Sequence, residues 1–309
     1  MTINTLAPVA VFCYNRLDHI RLTLGSLKNN LLAQNTELFI FSDGPKNQKD
    51  YEIIKKVRKY LNTVKGFKKI TIYHSKKNLG LRKSIVEGVS FVLKKRKKII
   101  VLEDDMVTSM YFISYMNDAL NYYKNKKKIF HISSHSHFQV TNPLEPQKIY
   151  FSKYMNCWGW GTWEDRWCKI TFNEKEIKFF FKNEKVINNF DYDSGLFWKQ
   201  IESNFNKKTN TWAIFWYASI YMNKGLCVNP LISYTKNIGM DGTGMHTVNT
   251  GYLLSSILCN NKFKNFLNTF NNGKMEKKLK ETLKLSSNSI SNKIINRLLI
   301  HFNKVNFIK

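Results

Sequence analysis

Acidic residues are scarce in this chain of 309 residues: 22 Asp and Glu stand against 49 Lys and Arg, a formal charge of +27. Such an imbalance favours polyanionic partners, whether nucleic acid, anionic lipid head groups or phosphorylated small molecules, and does not choose among them. Cysteine is equally sparse. Cys13, Cys157, Cys168, Cys227 and Cys259 make an odd count without a CxxC pair, which excludes a disulfide framework and a zinc ribbon and suits a reducing compartment. No apolar run approaches the roughly 18 residues that a membrane-spanning helix needs. The first eight residues also lack a basic segment followed by an apolar stretch, so a cytosolic protein is expected. With 43% hydrophobic and 14% aromatic residues, wholesale disorder and collagen-like repeats are excluded as well.

What is present is an alternation of short apolar runs and longer amphipathic ones. Pro8 to Tyr14 reads as a buried strand, and Leu17, Ile20, Leu24, Leu27 and Leu31 follow at helical spacing. The cycle repeats with Glu37 to Ser42 before a helix carrying Ile53, Ile54, Val57 and Leu61, and with Lys69 to His74 before one carrying Ile85, Val89 and Val92. A fourth unit places Lys98 to Leu102 before a helix over about 109–123. Four such units predict an α/β fold, a mostly parallel central sheet flanked by helices, with ligands beyond the carboxyl ends of the strands.

Later segments are less periodic. All seven Trp fall between 158 and 216, four of them in Cys157-Trp-Gly-Trp-Gly-Thr-Trp-Glu-Asp-Arg-Trp167. Flat apolar rings beside Gly suit a loop that stacks on a sugar ring or closes over a ligand, and core packing is the alternative for each ring. From Asn261 the chain carries eleven Lys or Arg against two Glu, and Ile290, Ile294, Ile295, Leu298, Leu299 and Phe302 form one helical stripe. That stripe suits an in-plane helix on an anionic membrane, or packing on the domain or on a second subunit as a homodimer.

The chemistry concentrates in Ile99-Ile-Val-Leu-Glu103-Asp104-Asp105-Met106, three acids at the end of an apolar strand in an acid-poor chain. Clustering three carboxylates is costly without a compensating cation, and oxygen ligands at a strand end suit Mg²⁺ or Mn²⁺ bridging to substrate phosphates. The other strand ends supply the remainder of a nucleotide site. Arg16 and Arg82 suit the neutralisation of a diphosphate, and Asp43 suits acceptance of the imide N–H of uracil. Asn15 and Asp18 suit helix capping equally well. A zinc reading of His131, His135 and His137 fails for want of Cys or carboxylate partners; lining the acceptor side is the expectation for them.

Taken together, a strand ending in Asn15-Arg16, a second ending in Asp43, the Asn78-Leu-Gly80 loop and Leu102-Glu-Asp-Asp-Met106 before a helix resemble the GT-A glycosyltransferases. The resemblance is to the N-acetylglucosaminyltransferase I-like branch and to bacterial family 2-like sugar transferases. It covers about residues 7–125 well and continues more loosely through the Trp-rich segment and Asn229-Pro-Leu-Ile-Ser233. It implies a GT-A domain with a nucleotide-sugar-binding half at 1–135, an acceptor-binding half at 136–255 and a basic helical tail at 256–309. It implies that Asp105 coordinates the metal, that Glu103 and Asp104 lie near the ribose and donor sugar, that Arg16 and Asp43 meet the nucleotide, and that Ser233 lies near the diphosphate. Inverting transfer of a hexosyl or N-acetylhexosaminyl group from a UDP-sugar to an acceptor hydroxyl follows from it, with Mn²⁺ or Mg²⁺ as cofactor. The implied acceptor is a glycan or lipid-linked glycan of a bacterial surface, such as lipooligosaccharide or capsule. The protein is then expected in the cytoplasm, peripheral on the inner face of the membrane.

Inverting transfer needs a general base facing the anomeric carbon. Where the related enzymes place an acid between two aromatic residues, this chain has Trp212-Ala-Ile-Phe-Trp216. Glu164, Asp165 and Asp193 are the candidate bases, and His246, in the Gly-rich run Gly239-Met-Asp241-Gly-Thr-Gly-Met-His246, is a candidate metal or phosphate ligand. Three other classes compete. A nucleic-acid-binding protein interleaves basic and aromatic residues on one surface, which the separated Trp-rich and Lys-rich runs do not do, so no nucleic-acid partner is expected. A nucleotidyltransferase should show a Gly-rich loop after the first strand, where this chain has Cys13-Tyr-Asn-Arg-Leu17. A non-catalytic glycan binder of the same fold is permitted by the missing base.

Overall fold

The computed structural model describes residues 5–138, 148–239, 258–263, 266 and 273–287. The Ile290 to Phe302 stripe and His246 lie outside the described residues. The first half follows the predicted alternation: β1 (Val9–Cys13), α1 (Leu17–Lys28), β2 (Glu37–Ser42), α2 (Gln48–Leu61), β3 (Lys69–His74), α3 (Gly80–Arg96), β4 (Lys98–Glu103), a short β5 (Met106–Thr108) and α4 (Phe112–Tyr123). Next come β6 (Ile129–Ser133), β7 (Ile149–Ser152), β8 (Trp160–Trp163), α5 (Glu164–Trp167), α6 (Glu174–Phe180), α7 (Glu184–Phe190), α8 (Leu196–Phe205) and α9 (Ala213–Met222). The described chain closes with β9 (Leu226–Pro230), β10 (Thr235–Asn237) and α10 (Gly273–Ser287).

Eight strands form one sheet in the order β3-β2-β1-β4-β8-β6-β9-β7. β1 to β4 are parallel, as are β6 and β9, while β8 and β7 run against their neighbours. Strand order reverses between β1 and β4, the crevice where open α/β sheets bind ligands. Both faces of the sheet centre are covered, which is why β1 and β4 read as continuous apolar runs, while the half-exposed edge strand β3 alternates. Val9, Val11, Ile100 and Leu102 pack under α1, α2 and α4. Ala10, Phe12, Ile99 and Val101 pack under α3 and the helices α5 to α9.

One expectation is corrected here. The middle of the Trp-rich segment is a core strand and not a loop: Trp160 and Trp163 of β8 and Trp167 of α5 are buried, Trp160 stacks on Trp212 with centroids 5.1 Å apart, and Trp158 stays half-buried in the bend before β8. A buried indole removes some 150–250 Å² from water, about 4–6 kcal/mol, and Gly in this strand admits close neighbours rather than a ligand. The first helix of the tail, α10, also packs on the domain, with Leu279 buried and Met275 and Leu283 against the same core. α10 thus buries an apolar face against the chain's own core. Among the described residues no helix is long and apolar enough to cross a membrane.

Candidate active site at the carboxyl end of β1 and β4

The crevice between β1 and β4 brings Arg16 onto the acidic triplet. Arg16 Nη2 donates to both Asp104 Oδ1 and Asp105 Oδ2, the latter at 3.0 Å. Asp104 also accepts from the Tyr14 backbone N–H at 3.3 Å, and its own carbonyl is held by Thr23 Oγ1 at 2.7 Å. Both Asp side chains are almost fully buried. Burial alone would lower the Arg16 pKa, and the two carboxylates more than reverse it. Burial raises Glu103, helped by the charges of Asp105 and Asp104 and opposed by Arg16 and the Trp212 side chain. Asp104 is raised by the same burial, against the pull of Arg16. Three acids therefore share one guanidinium, and the site carries more negative charge than its cation offsets.

Asp105 Oδ1 is buried with no hydrogen-bond partner. A buried carboxylate oxygen left unpaired is costly, so this orphan is the observation that fits a divalent cation. No group of three His, Cys, Asp or Glu that could hold a metal occurs among the described residues. An ion at Asp105 would be held by one or two carboxylates, with water and phosphate completing the shell.

A two-stranded sheet closes over this spot. β5 pairs antiparallel with β10, Thr108 opposite Thr235, and the Ile238 N–H donates to the Asp105 carbonyl at 2.9 Å. Gly239 follows, so close that a Cβ would sit 2.3 Å from Asp105 Oδ2 and 2.9 Å from an Arg16 nitrogen. Gly239→Ala is expected to displace the Asp105 carboxylate and to cut turnover by about 100-fold while the melting temperature changes little. Wild-type kcat in a folded Gly239→Ala protein would show that the close approach is unimportant.

A second cluster lies at the ends of β2 and β3. The Asp43 carboxylate accepts from the N–H groups of Gly44 and Leu79, both at 2.8 Å, from Gly80 at 3.0 Å and from Asn78 Nδ2 at 3.2 Å. It thereby caps α3 from a neighbouring loop. Gly44 permits this, because a Cβ there would lie 2.5 Å from the Lys77 carbonyl carbon. Beside it opens a cavity of about 400 Å³ in which Phe41, Tyr73 and Phe91 stand among polar and acidic groups that include Asp43, Ser75 and Glu87.

Other predicted site residues stand elsewhere. Glu164 pairs with Lys97 at 2.6 Å, and Asp165 with Lys127 and Arg166 at 2.5 and 2.6 Å. Because β8 runs against β4, with Trp160 opposite Val101 and Trp163 opposite Lys98, its Trp158 end meets the triplet and its Glu164 end exits on the far edge. The far edge is roughly 17 Å away at about 3.3 Å per residue, which removes both acids as candidate bases. Asp193 pairs with Lys280 and Lys284 of α10. Arg82 does not reach toward a diphosphate; its guanidinium lies 4.3 Å from the Phe172 ring centre and 4.7 Å from that of Phe215, and it donates to Asn210. Asn15 donates to Asp50 at 3.1 Å, and Tyr14 OH to the same carboxylate at 2.7 Å. Ser233 is buried, its hydroxyl accepting from the Ser136 N–H at 3.0 Å.

His131 and His135 are buried and His137 is half-buried, so the three do not form an exposed acceptor lining. His131 Nδ1 accepts from Trp216 Nε1 at 3.2 Å, which leaves Nε2–H to donate to the Asn156 carbonyl at 3.0 Å. Burial lowers His131 to about 3 and His135 to about 4; His137, whose Nε2 is buried without a partner, falls to about 3 through burial and its two neighbours. Each is neutral when folded and takes a proton near its ordinary 6.5 when unfolded, so its full contribution is present above pH 6.5 and is lost as pH falls toward 4. Replacing His137 by Gln is expected to reduce the stability lost between pH 7.5 and pH 5 by about 2 kcal/mol, from ~1.4 kcal/mol per pH unit. Denaturant titrations of parent and variant at the two pH values measure this, and equal losses would contradict a His137 that is neutral when folded.

A doubly wound sheet whose switch point carries an acid cluster, a bridging Arg and an unpaired carboxylate oxygen is the frame of a phosphate-ester or nucleotide-sugar enzyme. Residues 9–189 match glycosyl transferase family 2. The chain belongs to that family. Solved structures similar to it include the mannosyltransferase PcManGT from Pyrobaculum calidifontis in complex with GDP-Man and Mn²⁺, at 9% identity and a TM-score of 0.34. That likeness covers 52% of this chain and 46% of the other. S. aureus TarS is similar at 14% identity and a TM-score of 0.29, over 45% of this chain and 24% of its own. The chain thus spans less than half the length of either, and at these levels neither enzyme's donor or acceptor transfers to it. No curated protein matches the chain.

Proposed function

We propose that the protein is a metal-dependent, inverting glycosyltransferase of the N-acetylglucosaminyltransferase I-like kind, moving a hexosyl or N-acetylhexosaminyl group from a UDP-sugar to a hydroxyl of a bacterial surface glycan. The observation that carries this reading is the unpaired, buried Asp105 Oδ1 beside Asp104 and Arg16 at the β1–β4 crevice. Asp105 would hold Mn²⁺ or Mg²⁺, which when bound supplies Lewis-acid stabilisation of the departing diphosphate. Arg16 orients Asp104 and Asp105 and adds a fixed positive charge on the diphosphate side. Glu103 and Asp104 lie where ribose and donor sugar would be gripped, and the nucleoside occupies the cavity beside Asp43. Turnover of a panel of UDP- and GDP-sugars with Mn²⁺ or Mg²⁺, read as nucleoside diphosphate release, tests this; preference for a guanosine donor, or release independent of metal, would overturn it.

Placement of the enzyme on the inner face of an anionic membrane is supported by the edge opposite the site. Lys94-Lys-Arg-Lys-Lys98 feeds β4 and Lys124-Asn-Lys-Lys-Lys128 feeds β6 on that edge, with Glu164 and Asp165 as counter-ions. Lys98 and Lys124 are near enough that their repulsion adds to burial in lowering the Lys98 pKa. Sedimentation with phosphatidylglycerol vesicles, lost at about 0.5 M salt and absent with neutral phosphatidylcholine, is the expected result. Equal sedimentation with both lipids would rule the electrostatic placement out.

A further inference from the structure

Arg58 belongs to none of the strand-end motifs, yet its guanidinium reaches the ends of two parallel strands. Nη2 donates to the carbonyls of Ser75 at 2.6 Å, Asp43 at 3.1 Å and Ser42 at 3.4 Å, and Nε donates to Ser42 Oγ at 3.2 Å. Among the described residues no carboxylate forms a salt bridge with it. The cation is therefore committed to backbone oxygens at the point where the β2–β3 ladder ends, its last bond being Ser75 N–H to the Ser42 carbonyl at 3.0 Å. Strand-end carbonyls that have run out of ladder partners need donors from elsewhere, and a planar fork of five N–H groups serves several at once where an ammonium would not.

Asp43 is consequently gripped at two levels. Arg58 holds its backbone carbonyl, while the N–H groups of Gly44, Leu79 and Gly80 and the Asn78 amide hold its carboxylate. Ser42, Asp43 and Ser75, the three residues whose carbonyls Arg58 collects, all line the cavity of about 400 Å³.

We propose that Arg58 is a positioning residue for the donor nucleotide: it clamps the ends of β2 and β3 so that Asp43 and the start of α3 keep the geometry in which the nucleoside binds. The inference rests on the reading of this cavity as the nucleoside pocket. A clamp of this kind acts on ground-state donor binding and leaves the metal and the reacting atoms, at the β1–β4 crevice, as they were.

Titration calorimetry with UDP and Mn²⁺, together with steady-state kinetics, tests it on the full chain carrying Arg58→Met, Arg58→Lys or Ser42→Ala. For Arg58→Met the dissociation constant of UDP and the donor KM should rise about tenfold or more with kcat within about threefold. Arg58→Lys should recover part of the loss, and Ser42→Ala should move KM a little in the same direction. Arg96→Met, which removes a surface pair with Glu37, should leave both constants unchanged. Should Arg58→Met lower the melting temperature yet bind UDP as the parent does, Arg58 only props the fold and the proposal fails. Where Arg58→Met does not fold, Arg58→Lys and Ser42→Ala decide, and parental KM in both overturns it. Failure of the parent itself to bind any nucleotide would instead remove the functional reading, and this inference with it.

Discussion

Asp105→Asn should abolish metal-dependent transfer, lowering kcat/KM by roughly 10²–10³-fold with little loss of folded protein. The substitution keeps the shape of the side chain and the contact of one oxygen or amide with its surroundings, but removes the charge from the atom that has no protein partner, Oδ1. Three carboxylates sharing Arg16 leave the site over-negative, so one fewer charge relieves repulsion in the resting protein. Stability should therefore hold or rise as activity disappears. Paired measurements of Mn²⁺ affinity, turnover and denaturant midpoint separate these effects. Retention of metal-dependent turnover by Asp105→Asn would falsify the assignment of the ligand.

Arg16→Met should act in the opposite sense on stability. It strips the only cation seen to pair with Asp104 and Asp105 among the described residues, and breaking a buried pair by removing one partner costs about 3–5 kcal/mol because the other charge stays buried. The loss should be largest without divalent metal, since a cation at Asp105 replaces part of the missing positive charge. Mn²⁺ is thus expected to stabilise Arg16→Met more than it stabilises the parent, while donor KM rises through loss of the guanidinium beside the diphosphate. Urea titrations with and without Mn²⁺ give both numbers. An unchanged midpoint in metal-free Arg16→Met would mean that the buried carboxylates are held protonated and need no partner.

How much of this was legible beforehand differs by element. β2 and β3 fall on their predicted residues, Glu37–Ser42 and Lys69–His74: β2 is a buried apolar run, β3 is the edge strand with alternating Ile70 and Ile72, and the helix between them carries apolar residues at 3.6 spacing. The acidic triplet stood out for the same kind of reason, an expensive local cluster at a strand end. Residues whose role depends on chain direction were not legible. Glu164 and Asp165 sit six and seven residues from Trp158 in sequence, but an antiparallel β8 carries them to the far edge, where they offset lysines. Asp193 was drawn to α10, some 80 residues later, by charge alone. Arg58 carried no signal except its place in an amphipathic helix, and Gly239 none except its place at the start of a Gly-rich run.

Local chemistry, then, is what the amino-acid order by itself determined: the alternating strands and helices, the α/β class, and the acids and arginine at the first and fourth strand ends. Only the tertiary structure decided which of those groups share a volume. Strand order put Arg16 against Asp104 and Asp105, the β5–β10 pairing laid Gly239 on Asp105, and strand polarity sent two acids out of the site. The physical reason is that periodicity records whether a side chain is buried, a property of its own helix or strand. Which neighbour it meets is set by sheet order and direction, and these arise from packing over the whole chain.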